Sequence, residues 1–276
     1  SLRLSFCFLW ILVFGLPLQA APEWGKNGMV ASDHPFASQA GAEILKAGGN
    51  AIDAAVATSF ALAVVRPYSA GIGGGGFMVI HLKDNLQTVL DYRETAPAKA
   101  HRDMFLDGQG KVRTGKSELG HESVATPGTV SGLLYAHEKY GALPLKTVMA
   151  PAIRYAQEGF LVDVNYVKAT TNVLEQLKQF PETARIFLKD GQPLQLGDRL
   201  IQTDLAKTLT LIAEQGRKVF YEGVIAQAIL KEMQGKGHLS LDDLKGFQPH
   251  VREPIRNTYR GYTVIAMPPP SSGGST

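Results

Sequence analysis

The segment that most limits what this chain can fold into runs over residues 50–65. Ile52, Ala55, Val56, Phe60, Ala61 and Val64 recur at helical spacing, Asn50 can cap the first turn, and Pro67 ends it. Beyond Asp53 and Thr58 this helix has almost no polar face. A helix that is apolar all round has to be buried on most sides. With 276 residues the chain can bury one sizeable core, or at most two modest ones. Its 45% hydrophobic and 19% charged residues are ordinary for a globular domain and far from those of a disordered chain.

The neighbouring segments carry their own punctuation. Residues 28–32 read as a short strand, and residues 38–46 as a helix stopped by Gly48 and Gly49. A glycine run, 71–76, leads into a strand over 77–82, a turn at Lys83, Asp84 and Asn85, and a returning strand over 86–92. From Pro127 the signals are mostly helical: 145–158 closed by Gly159, 163–178 before Pro181, and 204–215 closed by Gly216. Helices over 223–234 and 241–245 follow, the second capped by Ser240. Strands return at 255–259 and 262–266, joined through Arg260 and Gly261. Strands at both ends of a helical middle, without regular βαβ alternation, predict an α+β or layered α/β fold.

Arg3, an uncharged run over 4–16, and the Pro17 to Pro22 segment with its Ala20 and Ala21 read as a secretory signal peptide over 1–21. Spanning a bilayer needs about 20 apolar residues, and Pro17 interrupts this run early, which favours cleavage over an anchor. The mature region is then 22–276, exported to the periplasm or released. The single cysteine, Cys7, lies in the leader, so a mature chain has no thiol for a disulfide, a metal or a nucleophile. The net charge of +3, or +2 once Arg3 is lost, is too small and scattered to suggest a nucleic-acid partner.

Few side chains stand out for chemistry. The glycine run is not a dinucleotide or phosphate-loop fingerprint, because it lacks the strand before, the helix after and the lysine. Glycines here let a loop pass close to other backbone. Arg93 stands where a strand ends, beside Tyr92 and Glu94, and its planar fork suits a carboxylate. An arginine at a strand end also serves as a surface ion pair. The seven histidines show no metal-ligand spacing and read as solvated or locally bonded. Ser271, Ser272 and Thr276 carry hydroxyls with no base nearby to activate them.

Taken together, six blocks become specific. They are SQAGAEIL with GGNAIDAAVA (38–45 and 48–57), GIGGGGFM (71–78), DYRETAP (91–97), TPGTVSG (126–132), YRGY (259–262) and MPPPSSGG (267–274). In this order they closely resemble the N-terminal part of γ-glutamyl transferases. The resemblance implies an N-terminal-nucleophile hydrolase fold, a four-layer αββα sandwich that this chain would hold incompletely. It implies a precursor that cuts itself before a threonine into a large and a small subunit that stay together. That threonine attacks the γ-amide of glutathione or another γ-glutamyl compound, and the acyl group passes to water, an amino acid or a dipeptide. No cofactor and no metal are implied. Of the family's binding residues, Arg93 maps here, and by resemblance it clamps the α-carboxylate of the γ-glutamyl group. The nucleophilic threonine is expected downstream, so residues 22–276 would be a truncated large-subunit region, inactive alone. A related acylase or a capsule-processing transpeptidase would share the fold with another donor, and a non-catalytic binding protein is a third reading. Retention of Arg93 argues for an α-amino-acid donor.

Overall fold

A computed structural model describes residues 24–274. The leader 1–21, with Cys7, and Thr276 lie outside the described residues. Helix α1, Pro35–Lys46, starts on His34, whose ring accepts the Phe36 N–H, with Pro35 supplying a preset φ. Helix α2, Ala51–Val65, is the apolar helix read from the sequence. Asn50 Oδ1 accepts the N–H groups of Ile52 and Asp53 at 2.8 and 3.0 Å, and Asp53 Oδ2 accepts the Asn50 N–H at 2.9 Å. This reciprocal box satisfies first-turn donors that would otherwise be orphaned. Asp53 is fully buried, yet its carboxylate also takes the Ala142 N–H at 3.0 and 3.1 Å. The other polar residue of α2, Thr58, is buried and donates to the Ala54 carbonyl at 2.7 Å.

Strands β1, Phe77–His81, and β2, Gln87–Asp91, form the expected antiparallel hairpin, with Phe77 opposite Asp91 and His81 opposite Gln87. Helices α3, Thr129–Tyr140, and α4, Leu145–Glu158, follow, and both pack on α2. A two-residue strand β3, Phe160–Leu161, leads to α5, Val164–Asn172, and α6, Leu174–Lys178. The sequence suggests one helix here; Val173, at φ −119°, divides it. The hydroxyls of Thr170 and Thr171 turn back onto the Tyr166 and Val167 carbonyls at 2.8 and 2.7 Å, a back-bonding that bends helices just where this one breaks.

Helix α7, Pro181–Phe187, precedes three short strands: β4, Leu188–Lys189, β5, Gln192–Pro193, and β6, Arg199–Leu200. Strand β6 pairs with β3, and β4 with β5. Helices α8, Thr203–Gln215, α9, Arg217–Tyr221, α10, Val224–Met233, and α11, Leu241–Gly246, complete the helical middle. Helix α8 packs on α4, so α2, α4 and α8 stack around Val56, Phe60, Val64, Met149, Leu209 and Ile212. Gln202 Nε2 donates to the Val64 carbonyl at 2.8 Å and so closes the end of α2 from the start of α8.

Strand β7, His250–Arg252, joins the first sheet beside β2, giving the order β1-β2-β7. The last hairpin, β8, Ile255–Tyr259, and β9, Tyr262–Ala266, is a separate two-stranded sheet. The fold is α+β. One expected element is not formed: residues 28–32 run as irregular chain, because among the described residues no strand lies alongside to complete a ladder.

Candidate functional site

The site forms where the β1–β2 ladder runs out. Gly76 and Tyr92 extend it by one more pair, exchanging backbone hydrogen bonds of 3.3 and 3.0 Å. The glycine loop then turns back, and its Gly74 carbonyl accepts the N–H groups of Gly128 and Thr129 at 2.7 and 2.9 Å. Those are the first donors of α3, so the loop caps that helix with backbone alone. Thr95 and Thr126 pair across the next gap at 3.3 and 2.8 Å. Three of the six sequence blocks, 71–78, 91–97 and 126–132, therefore meet in one place.

Tyr92 is the wedge among them. A Cβ at Gly75 would stand 2.6 Å from the Tyr92 carbonyl oxygen, and one at Gly76 would stand 2.9 Å from its ring. At Gly128 it would fall on the same carbonyl, and at Gly132 on the ring itself. The ring is buried, which pushes its hydroxyl up to about 12. The reading of the glycines as a place of close backbone approach is correct, and the object approached is Tyr92. Beneath α3, Tyr221 keeps the block 126–132 in register: its hydroxyl donates to the Pro127 carbonyl at 2.8 Å and accepts the Ser131 N–H at 3.1 Å.

Arg93 leaves this wedge on an exposed stretch, its guanidinium 6.0 Å from the Phe77 ring centroid. Among the described residues no carboxylate pairs with it, so the surface ion-pair reading has no partner here. Its backbone N–H donates to Asp91 Oδ1 at 3.1 Å, and Asp91 Oδ2 accepts from Arg252 Nε on β7 at 2.9 Å. Glu94 instead lines a cavity of about 470 Å³ with Ser59, Tyr68, Gly75, Tyr92 and Thr129. A guanidinium and a carboxylate thus stand on consecutive exposed residues, and the carboxylate lines a partly polar hollow. That arrangement can hold a molecule bearing both charges. The segment is tied down beyond Pro97 by the Ala98 N–H, which donates to Asp243 Oδ1 at 2.7 Å.

The other sequence candidates lie elsewhere. His34 caps α1 and His137 Nε2 lies 2.8 Å from the Leu143 carbonyl oxygen, both local bonds, whereas His121 Nε2 lies 2.9 Å from Glu232 Oε1, a contact across 111 residues. Ser271 stays by its own turn, accepting the Gly273 N–H at 3.2 Å. Sequence reasoning passed over Asp91, although an aspartate two residues before a strand-end arginine is an available turn signal. Arg252, 161 residues further on, offers no such local signal.

Comparison with known proteins agrees with these blocks. The model of the family described as gamma-glutamyltranspeptidase matches residues 37–276. The glutathione hydrolase proenzyme of Escherichia coli (strain K12) is 49% identical over 255 residues, covering 92% of this chain and 44% of that protein. The Acylase ACY 1 proenzyme of Pseudomonas sp. (strain V22) is 44% identical, covering 92% of this chain and 47% of that one. Among solved structures, Helicobacter pylori gamma-glutamyltranspeptidase superposes with a TM-score of 0.90 at 42% identity, over 92% of this chain and 74% of that chain. The chain spans less than half the length of these curated relatives. Ordered blocks, shared fold and family match together place this chain in the γ-glutamyltranspeptidase family.

Proposed function

We propose that the complete protein transfers γ-glutamyl groups from glutathione or other γ-glutamyl compounds to water, amino acids or dipeptides. A threonine downstream of this chain, freed by self-cleavage, is the nucleophile and forms a γ-glutamyl ester; the chain 1–276 alone releases no product. Its sheet is completed in the self-cleaved protein to an N-terminal-nucleophile αββα sandwich with its own small subunit. Residues 1–21 export the protein. The observation that carries the donor assignment is Arg93: an exposed fork with no ion-pair partner among the described residues, on a backbone fixed by Asp91 and next in sequence to the Glu94 that lines the cavity. Such a fork meets an α-carboxylate through two charge-assisted hydrogen bonds.

The 44% identity to an acylase proenzyme keeps a second reading in view, the same chemistry on another acyl donor. One experiment tests the assignment of Arg93 to the donor. Arg93→Lys and Arg93→Ala are made in the full-length protein, and self-cleavage and kinetics with a γ-glutamyl anilide are followed. Losing the carboxylate clamp should cost about 2–5 kcal/mol in kcat/KM, with cleavage into subunits intact. Unchanged kinetics would remove the α-carboxylate assignment and return Arg93 to a surface role. Failed cleavage would assign Arg93 to folding.

A further inference from the structure

We propose that Asp91, pinned by Arg252, is a positioning residue that sets the direction in which Arg93 presents its fork; this rests on reading Arg93 as the donor's carboxylate clamp. Asp91 is only 5% exposed, at the last position of β2. A carboxylate buried at that depth needs partners on both oxygens. Oδ1 takes the Arg93 N–H at 3.1 Å, and Oδ2 takes Arg252 Nε at 2.9 Å. The first bond closes a turn over Tyr92, so the backbone that carries the Arg93 side chain is fixed from within. The second anchors that turn to β7, where Arg252 stands opposite Val89 and Asp91 opposite His250.

Apart from the Phe77 ring, 6.0 Å from its guanidinium, the Arg93 side chain has little to hold it among the described residues. Its own guanidinium has no hydrogen-bond or ion-pair partner among the described residues, so its aim depends on its backbone. Tyr92, seated among the glycines, blocks backbone movement on one side, and the Asp91 turn blocks it on the other. A fork aimed before the ligand arrives loses less freedom on binding than one that must be ordered by it. Asparagine cannot replace Asp91: one oxygen serves one donor, and its amide N–H would face the other donor.

The test uses the complete, self-cleaved protein and a γ-glutamyl anilide donor, with rates referred to the amount of processed enzyme. Asp91→Asn should raise donor KM by about tenfold while kcat stays within about threefold, the signature of a misaimed binding group. Arg252→Lys, which keeps a charged donor, should stay near wild type, and Arg252→Gln should fall between. Arg93→Lys combined with Asp91→Asn should be no weaker than Arg93→Lys alone within about twofold, because residues acting through one group are not additive. The proposal is overturned if Asp91→Asn lowers the melting temperature or the yield of processed enzyme and leaves donor KM unchanged. It is also overturned if the two losses multiply in the double variant. If Asp91→Asn gives no processed enzyme, Arg252→Gln decides alone, since its side chain is 40% exposed and its loss leaves the turn itself in place. A raised donor KM then supports the proposal and an unchanged one ends it. Should Arg93→Lys itself leave donor KM unaltered, the clamp falls first and the positioning role with it, an outcome distinct from failure at Asp91.

Discussion

His34 works only as a neutral ring. Its Nδ1 accepts the Phe36 N–H at 3.2 Å, so the ring proton sits on Nε2. Burial holds its pKa below the usual 6.5, with Asp163 opposing in part. Below that value the unfolded chain binds the proton more readily than the folded one. The contribution is therefore fully present above about pH 6.5 and is lost as pH falls through the folded pKa. Melting temperature should drop between pH 7 and 5, and His34→Asn, which caps without titrating, should flatten that part of the curve. Equal slopes for the two proteins would exclude His34 as the source. A second residue-scale expectation concerns Gly132, where any Cβ enters the Tyr92 ring. Gly132→Ala should destabilise by about 1–3 kcal/mol in denaturant melts, or more if the ring cannot shift. At this scale the sequence was half legible. Arg93 stood out by its chemistry, whereas Asp91 owes its role to Arg252, and that contact crosses 161 residues.

Among the elements, α2 was the most readable because everything that defines it is local. The apolar run, the cap at Asn50 and the stop before Pro67 all sit within one stretch. What its sequence did not reveal is that its one acid, Asp53, also takes the Ala142 N–H in the connection between α3 and α4. Asp53→Ala removes the buried carboxylate that accepts the N–H groups of Asn50 and Ala142, and should cost about 2–3 kcal/mol in urea melts. A loss below about 1 kcal/mol, the scale of a helix cap alone, would mean that the Ala142 link contributes nothing. The misread elements fail for the opposite reason. Residues 28–32 have strand composition but no strand neighbour among the described residues, and residues 163–178 have helical composition but two hydroxyls that bend the path. Strand β7 was not read as a strand at all, since three residues carry no period and its place is decided by β2.

For the whole molecule, the last hairpin is the informative part. Among the described residues strands β8 and β9 pair only with each other, and Tyr259 and Tyr262 are 62% and 77% exposed. A lone two-stranded hairpin is marginal in water. On the proposed function it is one margin of a sheet that the rest of the protein completes. Residues 22–276 expressed alone should then be poorly soluble, with backbone amides at 255–266 exchanging much faster than in the full-length protein. Equal protection in both would show that the hairpin needs no further cover. The family blocks were legible end to end as an ordered set, but the sheet they belong to was not, because its order lies in pairings between distant segments. The Tyr92 wedge has a bearing on descent. Its ring and carbonyl occupy the volume that side chains at Gly75, Gly76, Gly128 and Gly132 would need, and those four come from two separate stretches of chain. A side chain added at any one of the four glycines meets Tyr92. Another packing of this junction is reached most cheaply through paired changes, a smaller ring at 92 together with a larger residue facing it, so the five positions constrain one another.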